Sequence, residues 1–382
     1  MRLLLVASEL PTATRGGSLC LHRLLAELPG CETHVLTHET QRFPWTWPVH
    51  HARRGGWFYK YWHSRFGTRL QQASLTRGLE LPAGKARYIT RQIRPDLILT
   101  VGYGPAFVSA RRLARETEIP LASLFMDWWP DLACNHLEAP ASLHTHLERE
   151  FRALHAASAV SFPFSAALAS ELGRRPQDVV LPPVSGEPWT NDIRPAVAMN
   201  RLAYAGLATG LYAETFRGIL HAARAFPALR LDYMGPGLPA DVRQDAPAGF
   251  QDHGFLSGAE LEQKLGAAGA LLVTLPFAIA DRRLARTSFS SKFTHYCRYG
   301  RPIIIWAPDD AAIVSFAREH RAALPVTCDD PAAVWQAFQR LTADGSLQAE
   351  LAANAHRVFE THFSAPVVRA RFHAGLNQAC RR

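Results

Sequence analysis

The sequence of 382 residues has no Cys-x-x-Cys pair, no long apolar run and no low-complexity tract. Its six cysteines are scattered, which argues against a zinc site and a disulfide scaffold and fits a reducing cytoplasm. No stretch of about 18 apolar residues occurs, so no membrane-spanning helix is predicted. The first apolar run, at residues 3–7, is too short for the core of a signal peptide, and we interpret it as a buried strand.

Motifs for metals, dinucleotides and nucleic acids are missing as well. There is no Asp-x-Asp motif to hold a metal-bound diphosphate, and no full Gly-x-Gly-x-x-Gly motif for a dinucleotide cofactor. The net charge of +9 predicts anionic partners, such as nucleic acid, acidic lipid or a diphosphate. Nucleic acid is disfavoured because no helix-turn-helix, zinc knuckle or RNA-binding aromatic signature accompanies the basic residues.

Apolar strands alternate with helix-length patterns in both halves of the chain, which is typical of parallel sheets covered by helices. The first half has predicted strands at 3–7, 34–37, 97–101, 121–125, 159–162 and 179–181. The second half has them at 202–205, 231–234, 250–254, 271–275, 303–306 and 324–327. A stretch rich in Pro and Gly at 182–188 is the best linker candidate. The sequence therefore predicts two Rossmann-like α/β domains facing each other across a cleft, with a helical tail.

The most specific motif lies between residues 290 and 305. It reads Ser-Ser-Lys-Phe-Thr-His-Tyr-Cys-Arg-Tyr-Gly-Arg-Pro and continues into three isoleucines. This pattern predicts a helix of about three turns, a glycine at the helix exit and a buried strand. It resembles the Ser-Lys-x-x-Glu-Tyr-x-x-x-Gly-x-Pro segment of GT-B-fold glycosyltransferases. The chain as a whole is most similar to the large retaining glycosyltransferase family four (glycosyl transferases group one).

This resemblance implies a GT-B fold with an acceptor-side domain at 1–185, a nucleotide-sugar donor-side domain at 186–362 and a C-terminal helix at 363–382 that crosses back to the first domain. It also implies transfer of a sugar from a UDP- or GDP-linked donor to a glycan, lipid-linked or other hydroxyl acceptor. A metal-independent reaction with retention is favoured, without any cofactor beyond the sugar nucleotide, and inversion stays open. The expected location is the cytoplasm, including the inner face of the membrane.

Two carboxylate positions of the family motif are replaced here. His295 stands where the family has a Glu that holds the donor ribose hydroxyls, and Thr287 stands where many retaining members have a second Glu. Neutral Thr and His side chains still form hydrogen bonds with sugar hydroxyls, but a negatively charged acceptor of two ribose hydroxyls is lost. The substitutions therefore leave the donor nucleotide open.

The usual cations for the leaving diphosphate are also displaced. The family commonly supplies an Arg and a Lys from the loop after the first strand of the second domain, but here that loop, 206–212, has neither. Lys292 is the expected substitute, because glycosyl transfer builds negative charge on the departing phosphate. One of Arg282, Arg283 and Arg286 is expected beside it; the alternative for each is an ordinary solvated side chain.

The remaining candidates follow strand ends. Gly16 and Gly17 open a helix whose free N–H groups suit a phosphate, although glycine pairs are common in α/β loops. Asp127 is the expected base or substrate-orienting group, with helix capping as the alternative. If the reaction inverts configuration, Asp127 or Glu9 must be the base. The expected donor-binding residues are Gly16, Gly17, Gly206, Gly235, Phe255, Arg282, Arg283, Arg286, Ser291 and His295.

The segment 42–69 combines nine aromatic residues, four of them tryptophans or tyrosines between 57 and 62, with six arginines and lysines. This composition suits the headgroup layer of an anionic membrane and a lipid-linked acceptor. Two other interpretations stay open, namely a pocket for a soluble acceptor and a structural insertion that packs on the first domain.

Other classes of protein also stay open. The missing carboxylates and cations favour a non-catalytic or regulatory sugar-nucleotide-binding protein of the same fold. A sugar-nucleotide epimerase or phosphorylase has the same two-domain architecture, and the phosphorylase is least favoured because no lysine motif for a pyridoxal cofactor is evident.

Overall fold

The structure is a computed structural model. It describes residues 1–8, 10–12, 16–39, 46–62, 64–137, 141–188, 198–208, 210–244 and 246–381. The chain divides into two compact units, one comprising Met1–Pro182 with Val368–Arg382 and the other comprising Pro183–Val367. Each unit is described by itself below.

The first unit contains a parallel six-stranded sheet. Its strands are β1 (Arg2–Val6), β2 (Glu32–Thr37), β3 (Val49–His51), β4 (Leu97–Val101), β5 (Leu121–Phe125) and β6 (Val160–Pro163). Its helices are α1 (Gly16–Leu25), α2 (Gly56–Trp62), α3 (Gly67–Arg77), α4 (Ala83–Ile93), α5 (Ala106–Thr117), α6 (Trp129–Leu137), α7 (Ala141–Ala157) and α8 (Ala166–Leu172). The strand order is β3-β2-β1-β4-β5-β6. Every residue of β4 and β5 is buried, as expected for strands covered by helices on both faces.

The second unit contains another parallel six-stranded sheet. Its strands are β7 (Ala198–Ala205), β8 (Arg230–Met234), β9 (Phe250–Asp252), β10 (Ala268–Thr274), β11 (Ile303–Trp306) and β12 (Leu324–Val326). Its helices are α9 (Ala213–Ala223), α10 (Ala240–Gln244), α11 (Gly258–Ala267), α12 (Arg282–Thr287), α13 (Ser291–Tyr296), α14 (Ala312–His320), α15 (Pro331–Ala343) and α16 (Gly345–Val358). Short 3₁₀ turns lie at Gly210–Tyr212, Ile279–Asp281 and Cys297–Tyr299, and a π-helical turn lies at Phe359–Phe363.

The two sheets have the same topology. The order in the second is β12-β11-β10-β7-β8-β9, which is the order of the first sheet read from the other side. Each sheet reverses its winding direction between its first and fourth strands, namely between β1 and β4 and between β7 and β10. In open α/β sheets, ligands bind at the carboxyl ends of the strands beside this switch point. The topology therefore directs attention to the loops after these four strands.

The predicted fold class is confirmed: each half is a doubly wound parallel α/β sheet. The helix, glycine and strand predicted for residues 290–305 are present. They are α13 with a following 3₁₀ turn, Gly300 in the left-handed conformation (φ 58°), and β11. All six strands predicted for the second half are also present, within a few residues at their ends.

One predicted strand of the first half is wrong. Residues 179–181 run beside β6 and donate from Val179 N and Leu181 N to its carbonyls, but the only bridge to β6 there is an isolated one between Asp178 and Ser161. Pro163 in β6 has no N–H to donate in return, so the ladder of hydrogen bonds ends there. The sixth strand is instead β3, which pairs with β2 at the edge of the sheet and lies within the aromatic and basic segment.

The last helix, α17 (Ala365–Cys380), begins in the second unit and contributes its residues from Val368 onward to the first. Its Phe372 ring packs against Phe162 of β6 with centroids 4.8 Å apart. A Cβ atom at Gly375 would lie 2.7 Å from the Phe162 ring, so glycine permits this close approach. Arg369 donates from Nε to the carbonyl of Arg23 (2.7 Å) and pairs with Glu27 (2.6 Å) at the end of α1.

Candidate functional site

Three neighbouring strands of the second sheet end in closely packed glycines. Gly206 N donates to the carbonyl of Met234, and Gly235 N donates to the carbonyl of Gly254, each at 2.9 Å. A Cβ atom on Gly235 would overlap the carbonyl oxygen of Gly206, and Gly206 itself has φ 147°, which disfavours any other residue. The exits of β7 and β8 are therefore packed backbone against backbone; Gly206 is partly exposed, whereas Gly235, an expected donor-binding residue, is buried.

Three tyrosines hold the loop at Gly206 in place. Tyr204 of β7 donates from its hydroxyl to the carbonyl of Leu207 (2.7 Å), and Tyr233 of β8 donates in the same way to Pro236 (2.8 Å). The hydroxyl of Tyr296 on α13 accepts from Ala205 N (2.8 Å) and also faces the Ala205 carbonyl (3.3 Å). Burial raises the pKa of all three phenols, that of Tyr233 to about 12, so they stay neutral donors at physiological pH.

Lys292 lies directly over this loop. A Cβ atom on Gly206 would overlap Cε of Lys292, so the glycine makes room for the lysine chain. The Lys292 Nζ atom is 5.5 Å from the ring centroid of Tyr204 and 5.2 Å from that of Tyr212, within cation–π range of both. The structure thus brings the ammonium of α13 to the loop that lacks a cation of its own.

Helix α13 holds Lys292 there because its other side is firmly packed. Phe293 is fully buried and lies against Phe363 and Phe289, with ring centroids 5.9 and 6.1 Å apart. His295, on the same helix, is partly exposed. Its Nε2 atom lies 3.1 Å from the Tyr299 hydroxyl. The ring that replaces the family carboxylate is therefore tied to the end of its own helix.

The other predicted donor-binding residues of the second unit are placed as follows. Thr287 is buried, and its hydroxyl donates to the carbonyl of Arg283 (2.8 Å). Arg282 pairs with Asp310 (3.0 Å), so its charge is already compensated. Phe255, Arg282, Arg286 and Ser291 are exposed, and Arg283 is partly exposed. These positions leave Lys292 as the cation with the most specific packing at the glycine loop.

In the first unit, the structure brings α1 next to the loop after β5. Gly16 and Gly17 are exposed at the start of α1, and a Cβ atom on Gly17 would lie 3.2 Å from Sδ of Met126. Asp127 is partly exposed in that loop. Burial raises the pKa of the Cys20 thiol on α1 to about 12, and the charge of Asp127 acts in the same direction. Asp127 therefore lies near enough to Cys20 of α1 to influence the pKa of its thiol, and its neighbour Met126 contacts the start of that helix.

The two tryptophans after Asp127 are packing residues. Trp128 and Trp129 are buried, and the Arg152 guanidinium lies 4.8 Å from the Trp128 ring centroid. Trp129 meets the ring of Phe107 edge to face, with centroids 5.5 Å apart. These contacts make both rings part of the packed interior of the first unit. Glu9, the other candidate base, lies outside the described residues.

Sequence reasoning missed Tyr103. It lies in the loop after β4, which flanks the switch point of the first sheet, and 41% of its surface is exposed. Its ring centroid is 6.1 Å from that of Trp129. The sequence did contain a clue, namely an aromatic residue between two glycines directly after a buried strand. Its position at the switch point, however, depends on the strand order, which the sequence did not reveal.

The aromatic and basic segment is partly described. Phe58 is buried below the Arg54 guanidinium (5.2 Å), whereas Tyr61 and Phe66 are 52% and 47% exposed. Arg65 lies 4.8 Å from the Phe66 ring centroid. The side chains of Trp57 and Trp62 and all of residues 40–45 are outside the described part. Along the described chain, no helix has the length and apolarity needed to cross a bilayer, and no group of three or more potential metal ligands occurs.

The fold defined by these two units is that of GT-B glycosyltransferases. The Anabaena protein HepE in complex with UDP has a TM-score of 0.69 and 13% identity, covering 99% of this chain and 100% of its own. Sucrose-phosphate synthase from Thermosynechococcus elongatus has a TM-score of 0.70 and 13% identity, covering 99% and 98%. A protein described as a UDP-N-acetylglucosamine 2-epimerase from Listeria monocytogenes has a TM-score of 0.60 and 12% identity, covering 98% and 95%. No family model and no curated protein sequence matches this chain.

Proposed function

We propose that this chain is a glycosyltransferase that moves a sugar from a nucleotide-activated donor to a hydroxyl group of a glycan or lipid-linked acceptor, with retention and without a metal ion. The observation that carries the proposal is the position of Lys292 over the glycine loop at the switch point of the second sheet. Solved structures of HepE contain UDP, UDP with glucose, or UDP-glucose, and they share this fold. A uridine diphosphate donor is therefore the first choice.

In this proposal, the second unit binds the donor. The diphosphate lies against the loop at Gly206, which is partly exposed, and against Pro236 and Gly237 of the next loop, which are exposed; glycine allows close approach there. The Lys292 ammonium stabilises the negative charge that develops on the leaving phosphate. The acceptor oxygen forms a bond to the anomeric carbon while the bond from that carbon to the diphosphate oxygen breaks, and the acceptor proton passes to the leaving phosphate oxygen.

The first unit supplies the acceptor side of the reaction. Asp127 accepts a hydrogen bond from a sugar hydroxyl and orients it, and the N–H groups of Gly16 and Gly17 at the start of α1 contribute a partial positive charge. If the product shows inversion instead, Asp127 or Glu9 must remove the acceptor proton. The partly exposed segment with Tyr61 and Phe66 suits an acceptor that is carried by an anionic membrane.

Thermal stability in the presence of UDP, GDP, UDP-glucose and GDP-mannose tests the donor. A ligand that binds the folded chain at a hundred times its Kd stabilises it by about 2.7 kcal/mol, so the true nucleotide should raise the Tm by several degrees. Release of nucleoside diphosphate should then require an acceptor, and the anomeric configuration of the product can be read by NMR. Absence of any shift with all four compounds would contradict the proposal.

A non-catalytic sugar-nucleotide-binding protein is the second candidate. It is favoured by Thr287, whose hydroxyl is buried and bonded to the backbone where many retaining enzymes have a carboxylate. Such a protein would show the thermal shift with a nucleotide but no turnover with any acceptor. The two measurements therefore separate the two candidates.

A further inference from the structure

The loop after β4 is placed to meet a ligand in the first unit. β4 is a central strand, next to β1 on one side and β5 on the other, and the switch point lies between β1 and β4. Ligands of doubly wound sheets bind outside the carboxyl ends of the strands at such a point. Tyr103 follows β4 by two residues, so its side chain originates at this edge, between the exit of β1 and the loop that carries Asp127.

Both neighbours of Tyr103 are glycines for steric reasons. A Cβ atom on Gly102 would lie 2.8 Å from the Phe151 ring and 2.9 Å from the Phe125 ring, and Gly102 N donates to the carbonyl of Leu124 (2.8 Å). Gly104 has φ +68°, and a Cβ atom there would lie 2.5 Å from the Ser8 hydroxyl oxygen. The loop is therefore pressed onto the core on one side of Tyr103 and onto the end of β1 on the other.

The Ser8 hydroxyl also holds the start of α5, the helix that follows Tyr103. Ser8 accepts a hydrogen bond from the backbone N–H of Ala106 at the start of α5 (3.0 Å), and this bond is buried. Tyr103 is thus attached to a backbone that is held at both ends, which lowers the entropy lost when a ligand binds to its side chain.

The ring itself combines an exposed surface with an aromatic support. It is 41% exposed, and the buried ring of Trp129 lies behind it at 6.1 Å with an interplanar angle of 55°. Trp129 is held in turn by Phe107. A pyranose has an apolar face of C–H groups and a rim of hydroxyls. The Tyr103 ring fits the apolar face, while Asp127 in the adjoining loop is a hydrogen-bond acceptor for the rim.

We propose that Tyr103 is the stacking platform for the acceptor and that the acceptor therefore ends in a pyranose ring. This inference rests on the proposed function, since it assigns the acceptor to the first unit. It makes Tyr103 a residue that determines acceptor specificity, in contact with the substrate. Acyclic polyols, which offer the same hydroxyls without a ring face, are poor ligands of this site.

The test measures binding of methyl glucoside, methyl galactoside and methyl mannoside to the full chain by saturation-transfer NMR, with sorbitol as the acyclic comparison. Tyr103→Ala should weaken binding of the preferred pyranoside about tenfold, the value of one aromatic contact, and Tyr103→Phe should keep it. If the alanine variant is unstable, Tyr103→Leu takes its place, because leucine keeps apolar volume but has no aromatic ring. It should show the same loss of binding. Tyr88→Ala is the matched control, because Tyr88 is an exposed tyrosine on α4 in the same unit.

Binding of UDP and GDP is followed in the same samples. Unchanged nucleotide binding together with lost pyranoside binding supports the inference. Equal pyranoside binding by wild type, Tyr103→Ala and Tyr103→Leu overturns it, as does wild-type protein that binds a nucleotide but none of the three pyranosides. If neither nucleotides nor pyranosides bind, the proposed function fails as well, so the two failures are distinguishable.

Discussion

The two sheets share one strand order but differ in the chemistry at their switch points. At the second sheet, the partly exposed Gly206 packs on the buried Gly235, and the Lys292 ammonium lies over the Gly206 loop. At the first sheet, an exposed tyrosine follows β4 and a partly exposed carboxylate follows β5, on the opposite side of the switch point from the strands that carry the glycines in the second sheet. In our proposal, the common topology gives each unit a ligand-binding edge, and the side chains assign an anion to one edge and a sugar ring to the other.

The glycines at the two edges also do different work. In the second unit, Gly235 brings one strand exit against the carbonyl of Gly206, so backbone packs on backbone. In the first unit, Gly102 and Gly104 make room for the rings of Phe125 and Phe151 and for the Ser8 hydroxyl. The first arrangement packs peptide groups closely against one another, whereas the second holds one side chain, Tyr103, at the edge.

The largest expected effect comes from removing the Lys292 ammonium, which distinguishes the edge of the second sheet from that of the first. Lys292→Ala should lower turnover by about a hundredfold, the scale of losing one preorganised donor to a developing charge. Lys264→Ala is the matched control, because Lys264 is an exposed lysine on α11 of the same unit. Steady-state kinetics with the donor identified by thermal shift provide the measurement. Unchanged turnover would transfer the role to Arg282, Arg283 or Arg286.

The role expected for Lys292 shows how far sequence reasoning reached. The helix, glycine and strand that follow it were predictable because they are contiguous and strongly patterned. The approach of Lys292 to Gly206 was expected only indirectly, from a loop without cations, since the two residues are far apart in sequence. β3 was not predicted, because Val49–His51 is short and polar and depends on pairing with β2.

Tyr103 illustrates what the sequence could not provide. A strand pattern shows that β4 exists, but it does not show that β4 lies between β1 and β5, and only this order makes the loop after β4 part of the switch point. The three tyrosines at the Gly206 loop were missed for a similar reason. Their hydroxyls bond to the backbone of loops whose shape depends on neighbouring glycines.

The next effect tests the carboxylate of the first unit. Asp127→Asn should lower turnover roughly thirtyfold, since a hydrogen bond to a charged group contributes about 2 kcal/mol. Binding of the nucleotide should not change, because the donor is assigned to the other unit. A loss of more than about a thousandfold would instead identify Asp127 as a general base and favour inversion. Glu9→Gln, measured in parallel, tests the alternative base.

A smaller effect tests the backbone packing of the second unit. Gly235→Ala places a methyl group against the Gly206 carbonyl and the Tyr233 hydroxyl, so the free energy of unfolding should fall by about 1.5 kcal/mol and UDP binding should weaken. Gly237→Ala is the matched control in the same loop, because the nearest atom to its Cβ would be 3.8 Å away on Arg243. Urea denaturation gives the stability. Equal stability of both variants would contradict the assigned packing.

The smallest effect concerns the aromatic and basic segment, which is found in the first unit and has no counterpart among the described residues of the second. If it meets anionic lipid, liposome binding should rise with the anionic fraction and weaken with salt, because each basic residue at such a surface contributes about 1 kcal/mol and is screened within a Debye length. Tyr61→Ala with Phe66→Ala should weaken binding severalfold while stability changes by less than about 0.5 kcal/mol, since both rings are exposed. Ile279→Ala is the control, because Ile279 is a 94% exposed apolar residue of the second unit. Binding that ignores lipid charge, or that the double variant leaves unchanged, would favour a structural insertion and a soluble acceptor.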